Sequence, residues 1–166
     1  MVMFQGKYYL FASMTGSVWV SEDMAHWDSY PLPENMPIYD YAPDVRAIGE
    51  YLYFTASNRD VKCSFYRTKD PIHGPYEEIP GYMDYWDPNL FQDDDGRLYF
   101  YWGCANATPI WGIELDPATM EPMGQKKDLI FGDPYHIGYE RFGEDHCEEP
   151  KSQAEIDALF QEFLDQ

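Results

Sequence analysis

Basic residues are scarce in this chain: Lys and Arg number 11 against 30 Asp and Glu, for a formal net charge of −19. Phosphate recognition rests on Lys and Arg, so the balance argues against a nucleic acid or an anionic membrane as partner and favours a neutral ligand. Cysteine is sparse as well. Cys63, Cys104 and Cys147 are odd in number and widely spaced, which excludes a disulfide framework and a Cys-x-x-Cys metal site and leaves reduced thiols. The four histidines, His26, His73, His136 and His146, show no metal-ligand spacing, and Asp93, Asp94 and Asp95 miss the Asp-x-Asp-x-Asp-Gly pattern of a calcium loop. No metal and no cofactor is expected. Apolar runs are short of the roughly 18 residues that a membrane span needs. Met1 leads directly into strand-like sequence rather than into a basic and then apolar leader. Together with reduced thiols this favours a cytoplasmic setting.

What is present is aromatic and apolar: 18% and 45% of the 166 residues, too rich in anchors for disorder and enough for a real core. The stretch from Tyr85 to Gly103 organises the rest. It reads as an Asp-Pro lead-in (Asp87, Pro88), a short strand (Asn89 to Gln92), an Asp-Gly turn (Asp95, Gly96) and an aromatic strand (Leu98 to Trp102). Related hairpins turn at Gly6 and Gly49, and acidic turns follow at Asp23, Asp70 and Asp116. Both sets recur about every 45 residues, and four short strands per repeat of that length are the mark of β-propeller blades. The chain therefore divides into three blades, about 1–38, 39–82 and 83–130, then a connection over 131–151 and a helical tail over 152–166. The fold class is all-β, with a C-terminal amphipathic helix.

Most of the conspicuous residues have an ordinary structural reading. Tyr8-Tyr9, Tyr51-Leu52-Tyr53 and Tyr99-Phe100-Tyr101 lie on second strands and are expected to pack within and between blades. Asp93 to Asp95 read as a solvated turn, and each histidine as a surface residue. Asp44 and Asp87 differ from the other acids because each stands just before the first, innermost strand of its blade. A carboxylate placed there is expected to face the central channel, which makes Asp87 a candidate catalytic group, with Asp44 and Trp86 as candidate substrate contacts.

The Ala42-Pro43-Asp44-Val45 lead-in, the Asp87-to-Gly96 hairpin and the Ser21-to-Trp27 turn together resemble glycoside hydrolase family 43 over residues 1 to 145. The resemblance implies a five-bladed propeller and an inverting enzyme that cleaves pentose-containing hemicellulose, of the β-xylosidase, α-L-arabinofuranosidase or arabinanase kind. It also implies three carboxylates: an Asp base on blade one, an Asp on blade three that tunes the acid and orients the sugar, and a Glu acid opening blade four. Asp87 matches the second. Inversion needs a base that activates water on one face of the sugar and a protonated acid on the other, roughly 6.5–9.5 Å apart. A neighbouring carboxylate raises the acid's pKa by like-charge repulsion.

Two positions depart from that pattern. Alignment of the repeats on their turn glycines places the base position ahead of Met1. After the connection to blade four, Glu148-Glu149-Pro150 is a superficial stand-in for the acid, with Glu149 as its nearest match, because no hairpin follows it. Instead Ser152-Gln153-Ala154-Glu155 reads as a capping box, and Ile156, Leu159, Phe160 and Phe163 fall at helical spacing. The chain is expected to hold three blades of five, to be inactive alone, to self-associate through its open blade edges, and to pack its helix near blade three. A non-catalytic carbohydrate-binding or scaffold module is the alternative. A WD-type interaction propeller is disfavoured, because no Trp-Asp dipeptide closes the third strand of each repeat.

Overall fold

The computed structural model describes residues 1–34, 36, 42–57, 62–104, 108–133, 135–137 and 152–164, without the side chain of Phe163. Among the described residues, twelve strands form three antiparallel sheets of four, each in sequence order. Blade one contains β1 (Val2–Phe4), β2 (Lys7–Phe11), β3 (Ser17–Ser21) and β4 (Asp28–Pro31). Blade two contains β5 (Asp44–Ile48), β6 (Tyr51–Thr55), β7 (Phe65–Thr68) and β8 (Glu77–Ile79). Blade three contains β9 (Asn89–Gln92), β10 (Leu98–Trp102), β11 (Ile110–Leu115) and β12 (Pro122–Ile130). Across blades, β5 lies against both β1 and β9, so the first strand of each blade lines the inner edge, as expected of a propeller. The boundary between blades one and two falls in 37–41, outside the described residues.

The first hairpin of each blade is set by turn chemistry. Gln5 and Gly6 take φ of 48° and 80° between the paired Phe4 and Lys7, the two-residue turn whose twist matches the strands it joins. Gly49 does the corresponding work between Ile48 and Tyr51. The third hairpin departs from the tight Asp95-Gly96 turn expected. Gly96 N donates to Asp93 O at 2.9 Å and Asp93 N to Arg97 O at 2.9 Å, so only Gly96 is left-handed, at φ 87°. This is a longer turn closed by a glycine bulge, and it gives Asp95 a local task. The Asp95 carboxylate accepts from Arg97 N at 3.0 Å and from Arg97 Nε at 2.7 Å.

The recurring aspartates after each third strand perform one job three times. Asp23 Oδ1 accepts from the amides of Ala25 and His26, Asp70 Oδ1 from those of Ile72 and His73, and Asp116 Oδ1 from those of Ala118 and Thr119. Each side chain replaces a missing backbone acceptor at the tip of the hairpin. The ring nitrogens of His26 and His73 close onto the same carboxylates at 2.8 and 2.9 Å, which accounts for both histidines as surface turn residues.

Among the described residues, two apolar clusters join the blades, one per seam. Phe11, Val18 and Val20 of blade one meet Leu52, Phe54 and Tyr66 of blade two; Phe65 and Tyr85 meet Leu90, Phe100 and Leu115 of blade three. Because side chains alternate along a strand, β6 sends Leu52 and Phe54 to one seam and Tyr53 to the other. Blade two is therefore buried on both faces. β10 instead alternates, with Leu98, Phe100 and Trp102 buried and Tyr99 and Tyr101 half-exposed, so one face of blade three is open. The long β12, for which the sequence suggests no bounds, lies beyond it with Leu129 and Ile130 exposed.

The tail is helical as expected, in α1 (Gln153–Leu164), and its capping box is present: Ser152 N donates to Glu155 Oε2 at 2.7 Å and Glu155 N to Ser152 Oγ at 3.4 Å. Its apolar stripe is not docked on blade three, contrary to expectation. Ile156, Leu159 and Phe160 are all exposed, at 46%, 49% and 62%. The cap satisfies the first-turn donors locally, so the helix needs no sheet to complete its hydrogen bonding.

Candidate functional site

Asp87 stands at the lead-in to β9, and its backbone is unusual. Its φ is 49°, in the left-handed region, although it is not glycine and precedes Pro88. A following proline ring crowds the helical conformations of the residue before it, and a left-handed non-glycine costs about 1–3 kcal/mol. Such a backbone persists only where its surroundings over-determine it. Here Gly103 N donates to Trp86 O at 2.8 Å, Asp87 N donates to the hydroxyl of Ser57 at 3.1 Å, and Pro88 is buried. The preceding residue is anchored too. Tyr85 is 4% exposed, its phenol pushed far above the usual range by burial, and its hydroxyl is hydrogen-bonded to Thr55 Oγ1. The outcome is an exposed carboxylate on a rigid mount, with the half-exposed indole of Trp86 next to it in the chain.

Asp44 sits differently. Its side chain is only 13% exposed, Oδ2 accepts from Leu90 N at 2.7 Å, and Oδ1 pairs with Arg46 Nη2 at 3.3 Å. Arg46 Nε in turn donates to Leu90 O at 2.6 Å. The two side chains of β5 thus take both backbone groups of Leu90 on β9 and stitch blade two to blade three. Burial raises the Asp44 pKa, against the Leu90 amide and the Arg46 charge, which favour the ionised form. The two aspartates expected to share one channel therefore have different surroundings: Asp44 is engaged within the seam and Asp87 is open.

Glu149, the stand-in for an acid, lies outside the described residues. Among the described residues no cluster of His, Cys, Asp and Glu could hold a metal ion. A groove of about 320 Å³ lies on the open face of blade three, lined by Tyr99, Tyr101, Glu114, Lys127 and Leu129, and no residue of the Asp87 lead-in lines it. The sequence reading missed Ser57 and Arg46. A signal for Ser57 was present, because Ser13 and Ser57 each stand two residues beyond the end of the second strand, in Ala-Ser pairs. Arg46 offered none, since its partner lies 44 positions away.

The sequence model of glycosyl hydrolases family 43 matches residues 1–141. The chain belongs to that family. No curated protein sequence matches it. Solved structures of similar fold include a bifunctional GH43-CE protein of Bacteroides eggerthii, at TM-score 0.65 and 22% identity over 80% of this chain and 20% of that one. An exo-1,5-α-L-arabinanase from a bovine ruminal metagenomic library aligns at TM-score 0.58 and 22% identity, over 78% of this chain and 53% of that one. A GH43 β-1,3-galactosidase aligns at TM-score 0.61 and 19% identity, over 79% and 34%. The chain thus spans between a fifth and about half the length of these structures, and its three sheets align with part of their fold.

Proposed function

We propose that this chain contributes three blades and one working carboxylate to an inverting glycoside hydrolase of family 43 acting on pentose-containing oligosaccharides. The observation that carries the reading is Asp87: an exposed carboxylate at the lead-in to the inner strand of blade three, on a left-handed backbone pinned from two sides. Its role is to orient the sugar and to hold a proton on the neighbouring acid, since two carboxylates in close approach do not both ionise readily. Trp86 offers an aromatic surface for the sugar ring. Asp44 serves from behind, through Leu90. The net charge of −19 suits a neutral sugar and repels anions. The named arabinanase of similar fold supports a pentose, while the galactosidase of similar fold makes a hexose the alternative to test against.

Acid–base cleavage with inversion needs a water-activating base and a protonated acid on opposite sides of the bond. By the repeat alignment neither is assigned to a described residue, so the 166-residue chain alone is expected to bind but not to turn over. Titration with arabinobiose, xylobiose and β-1,3-galactobiose, followed by tryptophan emission with Trp86→Phe as control, tests the specificity. Pentose disaccharides should quench and galactobiose should not; the reverse order contradicts the pentose assignment. Release of 4-nitrophenol from the α-L-arabinofuranoside or β-D-xyloside by this chain, lost in Asp87→Ala, would show that the whole catalytic set lies within it.

A further inference from the structure

We propose that Ser57 is the positioning residue for Asp87: its hydroxyl, delivered from the end of the second strand of blade two, holds the Asp87 amide and thereby fixes the turn that presents the carboxylate. The inference rests on the reading of Asp87 as the working carboxylate, and adds to it the device that aims the group. Ser57 is fully buried and accepts from Asp87 N at 3.1 Å. A left-handed residue points its N–H away from the regular ladder of its own sheet, so a side-chain acceptor from the neighbouring blade is what satisfies it. The two residues flanking the lead-in are already fixed, Trp86 by Gly103 and Leu90 by Asp44 and Arg46. Ser57 is the pin on the functional residue itself.

The chain contains the control for this argument. One blade earlier, Ala42 also precedes a proline, also has a left-handed φ of 55°, and also donates its N–H to a serine hydroxyl, Ser13 Oγ at 3.2 Å. Ser13 and Ser57 occupy the same place in their blades, two residues after β2 and β6. The serine-to-proline lead-in is thus a general joint between consecutive blades. At the second joint it carries a carboxylate in place of a methyl group, so a hydroxyl that elsewhere only sets the join here also sets the aim of Asp87. Ser13 is exposed, where water can replace its hydroxyl, whereas Ser57 is buried, where water cannot.

The test uses the isotopically labelled 166-residue chain. Backbone and carboxyl carbon shifts of Asp87, the three-bond coupling that reports its φ, and affinity for arabinobiose are measured in Ser57→Ala, Ser57→Thr, Ser57→Cys and Ser13→Ala. Ser57→Ala should move the Asp87 amide and α-carbon away from left-handed values and weaken arabinobiose about tenfold, equivalent to one 1.4 kcal/mol step. Ser57→Thr should restore both, and Ser13→Ala should move Ala42 but not Asp87. Should Ser57→Ala not fold, Ser57→Cys keeps the volume with a poorer acceptor and should give a partial shift. Unchanged Asp87 resonances in a folded Ser57→Ala or Ser57→Cys chain overturn the proposal, as does an equal shift in Ser13→Ala. If the wild-type chain binds no arabinobiose, the functional reading of Asp87 fails, while the Asp87 resonances still decide the role of Ser57.

Discussion

The lead-ins of blades two and three share a backbone and differ in what they display. Ala42 and Asp87 both precede proline, both have a left-handed φ, and both donate to a serine from the blade before. The strained joint therefore belongs to the scaffold, since it exists where there is no carboxylate to aim. Under the proposed function, the working group enters as a single side chain, that of Asp87, placed on one copy of a repeated feature. The residues after the prolines diverge too: Asp44, after the first joint, reaches forward to Leu90 in the seam with blade three, whereas Asn89, after the second, opens the strand that contains Leu90.

The strongest way to break the comparison is to damage the strand behind one joint. Leu90 is 1% exposed and sits in the seam between blades two and three. Leu90→Ala should cost about 2–5 kcal/mol, from lost burial plus a residual cavity. Val45→Ala at the corresponding place in blade two should cost less, because fewer methyl groups are removed; chemical denaturation measures both. Next, Arg46→Ala strips the guanidinium from a part-buried Leu90 carbonyl and should cost about 1–3 kcal/mol, reported by the same unfolding curves. A neutral result would mean that water replaces Arg46 and that the stitch does not hold the seam.

The smallest expected effect concerns pH, and the carboxylates differ in sign. Asp23 is held well below the usual range by the His26 ring, then by the His26 and Ala25 amides. A depressed folded pKa gives stability that is present above the unfolded value of about 3.8 and is lost as pH falls through the folded value. Asp23→Asn should remove that share of the acid loss. Asp44 is raised, chiefly by burial, so its contribution is present below the unfolded pKa and is lost as pH rises through the folded one. Asp44→Asn should abolish this opposite slope in melting temperature against pH. Equal slopes in the two variants would contradict the different surroundings assigned to them.

The propeller was legible because its signals are local and repeated. The glycine turns, the acidic hairpin tips and the capping box of α1 each follow from a few adjacent residues. What escaped depends on registers between blades. Asp44 reads alike in sequence whether it faces a sugar or Leu90, and only the approach of β5 to β9, 46 positions apart, decides. Ser57 was hidden for the same reason, although its twin Ser13 could have flagged it. The Asp95-Gly96 pair reads as a two-residue turn because both residues tolerate positive φ, whereas the structure closes the hairpin between Asp93 and Arg97 and leaves Asp95 to bond Arg97.

Exchange of the two lead-ins tests most directly whether the carboxylate, and not the joint, confers function. Calorimetric titration of arabinobiose into wild type, Asp87→Ala and Ala42→Asp, with melting temperatures recorded alongside, supplies the comparison. Asp87→Ala removes an exposed side chain but leaves alanine on a left-handed backbone that aspartate tolerates better, so it should lose about 1 kcal/mol of stability and should lose detectable binding. Ala42→Asp should bind as wild type does. Undiminished binding by Asp87→Ala would contradict the account.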